Sequence, residues 1–222
     1  MLRIGPISPG SEVTPEESVV RDRTGGGPWV EICMITTPDG ATSQDGRSAP
    51  LGGPADQVML RAWRSACGVI LVGAGTVRAE GYGLPSRQDL RVAVVTRTCE
   101  IDPSLPLFAS GRGFLVTAED APPTPLETLR AGAGTVDLGR AVAELASRTD
   151  NGVIHVEGGP SLNGSLLDLG LVSAINLTFS HRIVGPHQGD PISRMSDGPR
   201  RFSLVDAASA DGFVFARYER VS

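Results

Sequence analysis

Twice in this chain an apolar run ends in a glycine turn that leads directly into a helix start, and no other feature restricts the fold as much. The first is Val69-Ile70-Leu71-Val72-Gly73-Ala74-Gly75-Thr76, and the second is Val153-Ile154-His155-Val156-Glu157-Gly158-Gly159-Pro160-Ser161. The continuous apolar run of the first belongs in a sheet covered on both faces. The surrounding pattern agrees. Ala55, Val58, Met59, Ala62, Trp63, Ala66 and Cys67 recur at helical spacing just before the first strand, one continuous face. Residues 91–96 and 113–117 read as further strands, and Asp137 is placed to cap a helix carrying Leu138, Ala141, Val142, Leu145 and Ala146. After a short helix at 160–169, residues 175–179, 202–205 and 213–218 are strands with no helix between them, the last two joined across Ala210-Asp211-Gly212. Alternation followed by a strand-only tail predicts an α/β sandwich, its sheet parallel at the centre and antiparallel at one edge.

A chain of 222 residues has room for one large domain or two small ones. Residues 1–27 read as an N-terminal arm, in which Thr14-Pro15-Glu16-Glu17 marks a helix start. Residues 28–222 read as the domain, with a glycine- and proline-rich loop over 38–53 and no internal linker.

Composition removes several function classes. Twenty-five acids against twenty bases leave a charge of −5, and no basic cluster suits a polyphosphate backbone, so nucleic acid is disfavoured. Every base is arginine. Without lysine there is no Schiff-base chemistry, no lysine general base and no Walker-type loop. Cys33, Cys67 and Cys99 are an odd, widely spaced set, which fits buried thiols better than a disulfide framework or a zinc site. His181 and His187 lie near a Gly/Pro loop without ligand spacing, so no metal is expected. The longest apolar run, 66–75, is half a membrane span, and the amino end is too polar for a signal peptide. The expectation is a cytoplasmic protein off the membrane.

Glycine turns at the carboxyl ends of strands let a ligand approach the backbone, and free N–H groups at a helix start suit a phosphate. Tight packing alone also explains such glycines. Neither turn is the Rossmann fingerprint, because Arg78 holds the position of its third glycine.

Thr36-Thr37-Pro38-Asp39-Gly40, Gly46-Arg47-Ser48, Leu51-Gly52-Gly53, Leu71 through Glu80 (LVGAGTVRAE) and Val156 through Leu167 (VEGGPSLNGSLL) occur in this order. Over roughly residues 28–220 the chain resembles the reductase domain of the bifunctional riboflavin-biosynthesis deaminase/reductase and its free-standing relatives in high-GC bacteria. The resemblance implies a dihydrofolate-reductase-like three-layer sandwich, NADPH as cofactor, and reduction of the ribosyl group of a phosphorylated aminouracil to ribityl. It also implies site residues. Thr76 and Thr96 match NADP-contacting positions, and Gly158, Gly159, Pro160 and Ser161 match the pyrophosphate loop, with Gly73 and Leu162 beside these strings. Glu80 stands beside the nicotinamide. Ser48, Leu84 and Arg87 match substrate-contacting positions, and Glu157 one that faces the substrate. Arg97, just past a strand end, is the candidate for the 2′-phosphate or a solvated surface arginine.

Three departures accompany the resemblance. The family writes S-x-D-G where this chain has Thr37-Pro38-Asp39-Gly40, and Pro38 removes an N–H. Ser180-His181 stands where relatives have a proline, and the zinc deaminase half has no counterpart.

Asp39 is the expected acid, a carboxyl at the cleft lip whose pKa desolvation would raise; a plain Pro-Asp-Gly turn is the other reading. Glu157 is a second catalytic candidate, or a cap for the turn after it. His155, in a buried strand, reads as a core histidine. Arg87 is expected to hold the substrate phosphate with Ser48, or to pair with Asp89 on the surface. The apolar strand-only tail would expose a sheet edge, so a homodimer is expected. Three functions follow: reduction of a phosphorylated ribosylaminouracil, reduction of a pterin such as dihydrofolate, or NADP binding without catalysis.

Overall fold

The apolar runs become strands and the periodic segments become helices that cover them. In chain order the elements are β1 (Leu2–Arg3), α1 (Pro15–Val19), β2 (Trp29–Thr36), α2 (Pro54–Ala66), β3 (Val69–Gly73), α3 (Ala74–Glu80), β4 (Arg91–Val95), α4 (Pro106–Ala109), β5 (Gly113–Thr117), β6 (Thr128–Arg130), α5 (Leu138–Ser147), β7 (Val153–Val156), α6 (Pro160–Asp168), β8 (Val172–Phe179), β9 (Phe202–Ala210) and β10 (Phe213–Arg220). This is a computed structural model, and it describes residues 1–3, 10–20, 27–185 and 191–221. His187 and parts of the 1–27 segment therefore lie outside the described residues.

The strands form one sheet in the order β1-β9-β10-β8-β2-β7-β3-β4-β5-β6. From β8 to β6 every neighbouring pair is parallel. The pairs β8/β10, β10/β9 and β9/β1 are antiparallel. The expected mixed α/β sheet is therefore present, its antiparallel part at the C-terminal edge. Asp211 and Gly212 connect β9 to β10 with both residues at positive φ, the geometry that lets a two-residue hairpin follow the strand twist.

Alternate residues of the central strands feed different layers. Val69, Leu71, Ile154 and Val156 face a core completed by α5 and α6. Ile70, Val72, Val92 and Val94 face the opposite layer with Val77 of α3 and Leu107 and Phe108 of α4. Farther along that layer, Met59, Ala62 and Trp63 of α2 pack with Val19 of α1 and with Phe213 and Phe215 of β10. Asp137 caps α5 by accepting from Arg140 N at 2.9 Å, and Thr14 and Glu17 close a capping box on α1, both as their sequences indicate.

Some pairing escapes local pattern. β6 is three residues long and α4 is one turn, too short for periodicity to register. β9 runs through Asp206-Ala207-Ala208-Ser209, a stretch without β-propensity that is held by its partner β10.

Candidate active site

β3 and β7 are neighbours, and the chain leaves them in opposite directions. From β3 it passes through α3 to β4, whereas from β7 it passes through α6 to β8 on the other side. Their carboxyl ends thus form a topological switch point, where open α/β sheets bind ligands. Both glycine turns sit there, in contact: Gly73 N donates to Gly158 O at 2.7 Å, and Glu157 N donates to Leu71 O at 3.0 Å. Gly158 has φ +79° and precedes a cis peptide to Gly159. A Cβ on Gly73 would stand 3.2 Å from Gly159 N, and one on Gly159 would stand 3.0 Å from Thr76 Oγ1. Both contacts are tighter than a Cβ ordinarily makes, so glycine suits this close approach of the two turns.

A cleft of about 1210 Å³ opens over this switch point. Gly73, Thr76, Glu80, Thr96, Arg97, Gly159, Pro160, Ser161, Leu162 and Ser48 all line it, and Gly158 supports it from behind through the bond to Gly73. Arg97 is exposed on the wall beyond β4. Glu80 ties the end of α3 to the opposite loop, its Oε1 accepting from Ser48 N at 2.7 Å. On the other side α2 faces β8 and β10, and this half of the lining includes Asp56, Trp63, Arg64, Asn176, Thr178 and Arg217.

Four expectations are corrected here. Asp39 is exposed and does not line the cleft. Its carboxylate accepts from the Thr37 hydroxyl at 2.5 Å and from Gly185 N at 2.8 Å. These bonds, the Thr37 hydroxyl foremost, lower its pKa instead of raising it. Asp39 thus links two loops through its carboxylate. Arg87 is the second correction. Its Nη1 donates to Ser65 O at 2.9 Å and Cys67 O at 2.8 Å, and its Nε lies 3.1 Å from Asp89. It caps the carboxyl end of α2 and lies outside the cleft. Leu84 is likewise exposed and off the lining.

Glu157 does line the cleft, but in a state unsuited to giving a proton. Burial would raise its pKa, yet Arg64 overrides that and holds the carboxyl well below the usual carboxylate range. Arg64 Nε and Nη2 meet its two oxygens at 2.6 and 2.7 Å, the Tyr82 hydroxyl donates at 2.5 Å, and His155 Nε2 lies 3.3 Å away. His155 is buried between strands as expected, with Glu157 as its neighbour.

Sequence reading missed Asp56, Arg64 and Tyr82. Asp56 is half-buried in the first turn of α2, and the Thr178 hydroxyl bonds to it; burial outweighs that bond and raises its pKa. A polar residue on an otherwise apolar helix face was the available signal. Deeper in the same layer Glu31, Asn176 and Arg217 form a buried network, Arg217 Nη1 reaching Glu31 Oε2 and Asn176 Oδ1 at 3.1 Å each, with Trp63 stacked 5.3 Å from the guanidinium. Among the described residues no group of three metal-binding side chains occurs, and no helix is long and apolar enough to cross a membrane.

The profile of the RibD C-terminal domain family matches residues 28–210. A search of curated proteins returned no significant match. Among solved structures, a pyrimidine reductase-like protein from Corynebacterium diphtheriae is 25% identical, covering 95% of this chain and 100% of its own, with a TM-score of 0.78. A diaminohydroxyphosphoribosylaminopyrimidine deaminase/5-amino-6-(5-phosphoribosylamino)uracil reductase from Thermotoga maritima is 19% identical, with 88% of this chain and 57% of that longer one aligned and a TM-score of 0.67. Dihydrofolate reductase from Enterococcus faecalis, complexed with NADP(H), is 14% identical over 87% of this chain and 97% of its own, with a TM-score of 0.52, a likeness of fold. The chain belongs to the RibD C-terminal domain family, a family of reductases.

Proposed function

We propose that the protein is an NADPH-dependent reductase of a phosphorylated ribosylaminouracil. The observation that carries the cofactor is the junction of the two glycine turns at the switch point. Gly73, Thr76 and Gly159 approach so closely that a Cβ on either glycine would crowd its neighbour, leaving backbone N–H groups and the first turn of α6 open to a diphosphate. Gly159, Pro160, Ser161 and Leu162 would hold that diphosphate, Thr96 and Arg97 the adenosine side and its 2′-phosphate, and Thr76 and Glu80 the nicotinamide side. When bound, reduced nicotinamide supplies a hydride.

The remaining roles belong to the α2 half of the cleft. Reduction of a carbonyl or imine leaves a heteroatom that needs a proton, and Asp56, whose carboxyl resists ionisation, takes the role that Asp39 cannot fill. Of the two guanidinium groups on this side of the cleft, Arg217 is buried and Arg64 is the more exposed, so a substrate phosphate meets Arg64 and Ser48 instead of Arg87. Glu157 aims Arg64 and stays a carboxylate throughout. A homodimer working in the cytoplasm is part of the same reading.

A second reading, reduction of a pterin, is favoured by one observation. Asp56 and Thr178 present a half-buried carboxyl and hydroxyl to the cleft, a pair that matches the amidine edge of a pterin. The test is direct. Fluorescence titration should show saturable NADPH binding, weakened at least about tenfold in Gly159→Asp, since a 1.4 kcal/mol loss is a factor of ten. Turnover is then measured with the phosphorylated aminouracil, its unphosphorylated nucleoside and dihydrofolate. Preference for the phosphorylated form supports the first reading, and turnover of dihydrofolate alone moves the pterin ahead. Tight NADPH binding with no turnover of any would leave a binding protein.

A further inference from the structure

Residues 192–198 run along α6 as a strap fastened at both ends. Near the start of α6, Asn163 Nδ2 donates to Ile192 O at 2.8 Å, and Arg194 N donates to Pro160 O at 2.9 Å. Near its end, the Asp168 carboxylate accepts from Ser196 N at 2.9 Å and Asp197 N at 3.1 Å. Between these ties the strap backbone lies directly on Gly164, where a Cβ would collide with the carbonyl of Arg194. Asn163 is fully buried, and its Nδ2 is spent on this contact. The strap is thus packed on the helix, and the residue it carries over the first turn is Arg194. Arg194 is exposed and lines the cleft together with Ser161 and Ser165.

We propose that Arg194, delivered by this strap, binds the diphosphate of the dinucleotide from outside while the first turn of α6 binds it from within. The inference rests on the cofactor reading above and adds a residue to it. A helix start offers N–H groups and about half a positive charge, and α6 has no basic residue in its first turn. A guanidinium brought across from another segment adds a full charge and a planar donor fork suited to two phosphate oxygens. Arg97 stands on a different wall, beyond β4, so the two arginines divide the cofactor's charges between diphosphate and 2′-phosphate.

Titration of the intact protein with NADPH and with NADH, read by fluorescence, tests this. Arg194→Ala should weaken both ligands by a similar factor, about tenfold, leaving their ratio unchanged, and Arg194→Lys should recover part of the loss. Arg97→Ala should weaken NADPH and leave NADH nearly unaffected. Gly164→Ala, which touches no ligand, should displace the strap and weaken both ligands as Arg194→Ala does. Circular dichroism confirms that each variant is folded. Loss confined to NADPH in Arg194→Ala, or unchanged affinity for both, overturns the proposal while leaving the reductase reading intact. Failure of the wild type to bind either ligand overturns both.

Discussion

Asp56 and Glu157 are carboxyl groups on one cleft, and their surroundings push them in opposite directions. Asp56 has burial and a single hydroxyl partner, so its neutral form is favoured. Glu157 is also buried, but the Arg64 fork and then His155 make its charged form the stable one. Such divergence separates a proton donor from a fixed anion. Its linkage to stability has opposite signs at the two sites. Asp56, with a raised folded pKa, destabilises the fold where the unfolded carboxyl ionises freely, and this cost vanishes once pH falls below the unfolded value. Asp56→Asn should therefore raise Tm at pH 7.5, leave it unchanged near pH 3, and lower kcat by roughly 10²-fold or more if Asp56 supplies the proton. Scanning calorimetry at the two pH values and a steady-state assay check it; an unchanged kcat removes Asp56 from the chemistry. Glu157, with a depressed pKa, contributes stability above the unfolded carboxyl value and loses it only as pH falls far into acid. Cys33 beside this cleft is kept a neutral thiol, because burial pushes its pKa up.

Helix α2 shows how an element carries a site it does not announce. Its apolar face packs Met59, Ala62 and Trp63 on the sheet, as the spacing of those residues indicates. The same packing turns Asp56 in its first turn and Arg64 in its last toward the cleft. Arg87 then fastens the end of the helix by three carbonyls, those of Arg64, Ser65 and Cys67. Its contribution is structural, and Arg87→Ala should cost roughly 1–2 kcal/mol, bonds to a charged group being stronger than average but here partly exposed. In a chain of this size that is a Tm drop of roughly 2–8 °C. The KM for a phosphorylated substrate should rise less than in Arg64→Ala, which removes the guanidinium on the cleft itself. A larger KM effect from Arg87→Ala would return the phosphate to Arg87.

At the scale of the molecule, β9 lies at the antiparallel side of the sheet, where β1 pairs with it at Ala208 and Ser209. Leu204 is exposed on it. A strand on this side that carries an exposed apolar residue invites a second strand, and a two-fold copy of the same strand closes the contact on itself. The proposed homodimer should therefore elute in light scattering at twice the 23.1 kDa chain mass. Leu204→Lys should shift it toward monomer without altering NADPH affinity. A wild-type protein at the single-chain mass in the micromolar range would exclude this strand as an interface.

What the sequence determined by itself is local in origin. Periodicity named the strands and the long helices, Thr14 and Asp137 named their own caps, and the glycines named the turns, because each depends on residues a few positions away. The strings around Thr76 and Gly159 likewise located one half of the cleft, where the two glycine turns meet through backbone and adjacent residues. The other half was decided by tertiary structure. Arg64 and Glu157 are 93 positions apart, and only the pairing of β7 beside β3, with α2 laid across them, brings them together. Asp39 sits in a turn whose sequence suits either a plain turn or an acid, and the backbone amides its carboxylate accepts from, those of Val184 and Gly185, belong to a segment remote in sequence. A carboxyl's charge depends on how much water it loses and which partners replace that water. Both quantities are set by chain segments remote in sequence, so local pattern could flag Asp56 as a polar residue on an apolar helix face but could not give its charge state, or tell Arg64 from Arg87.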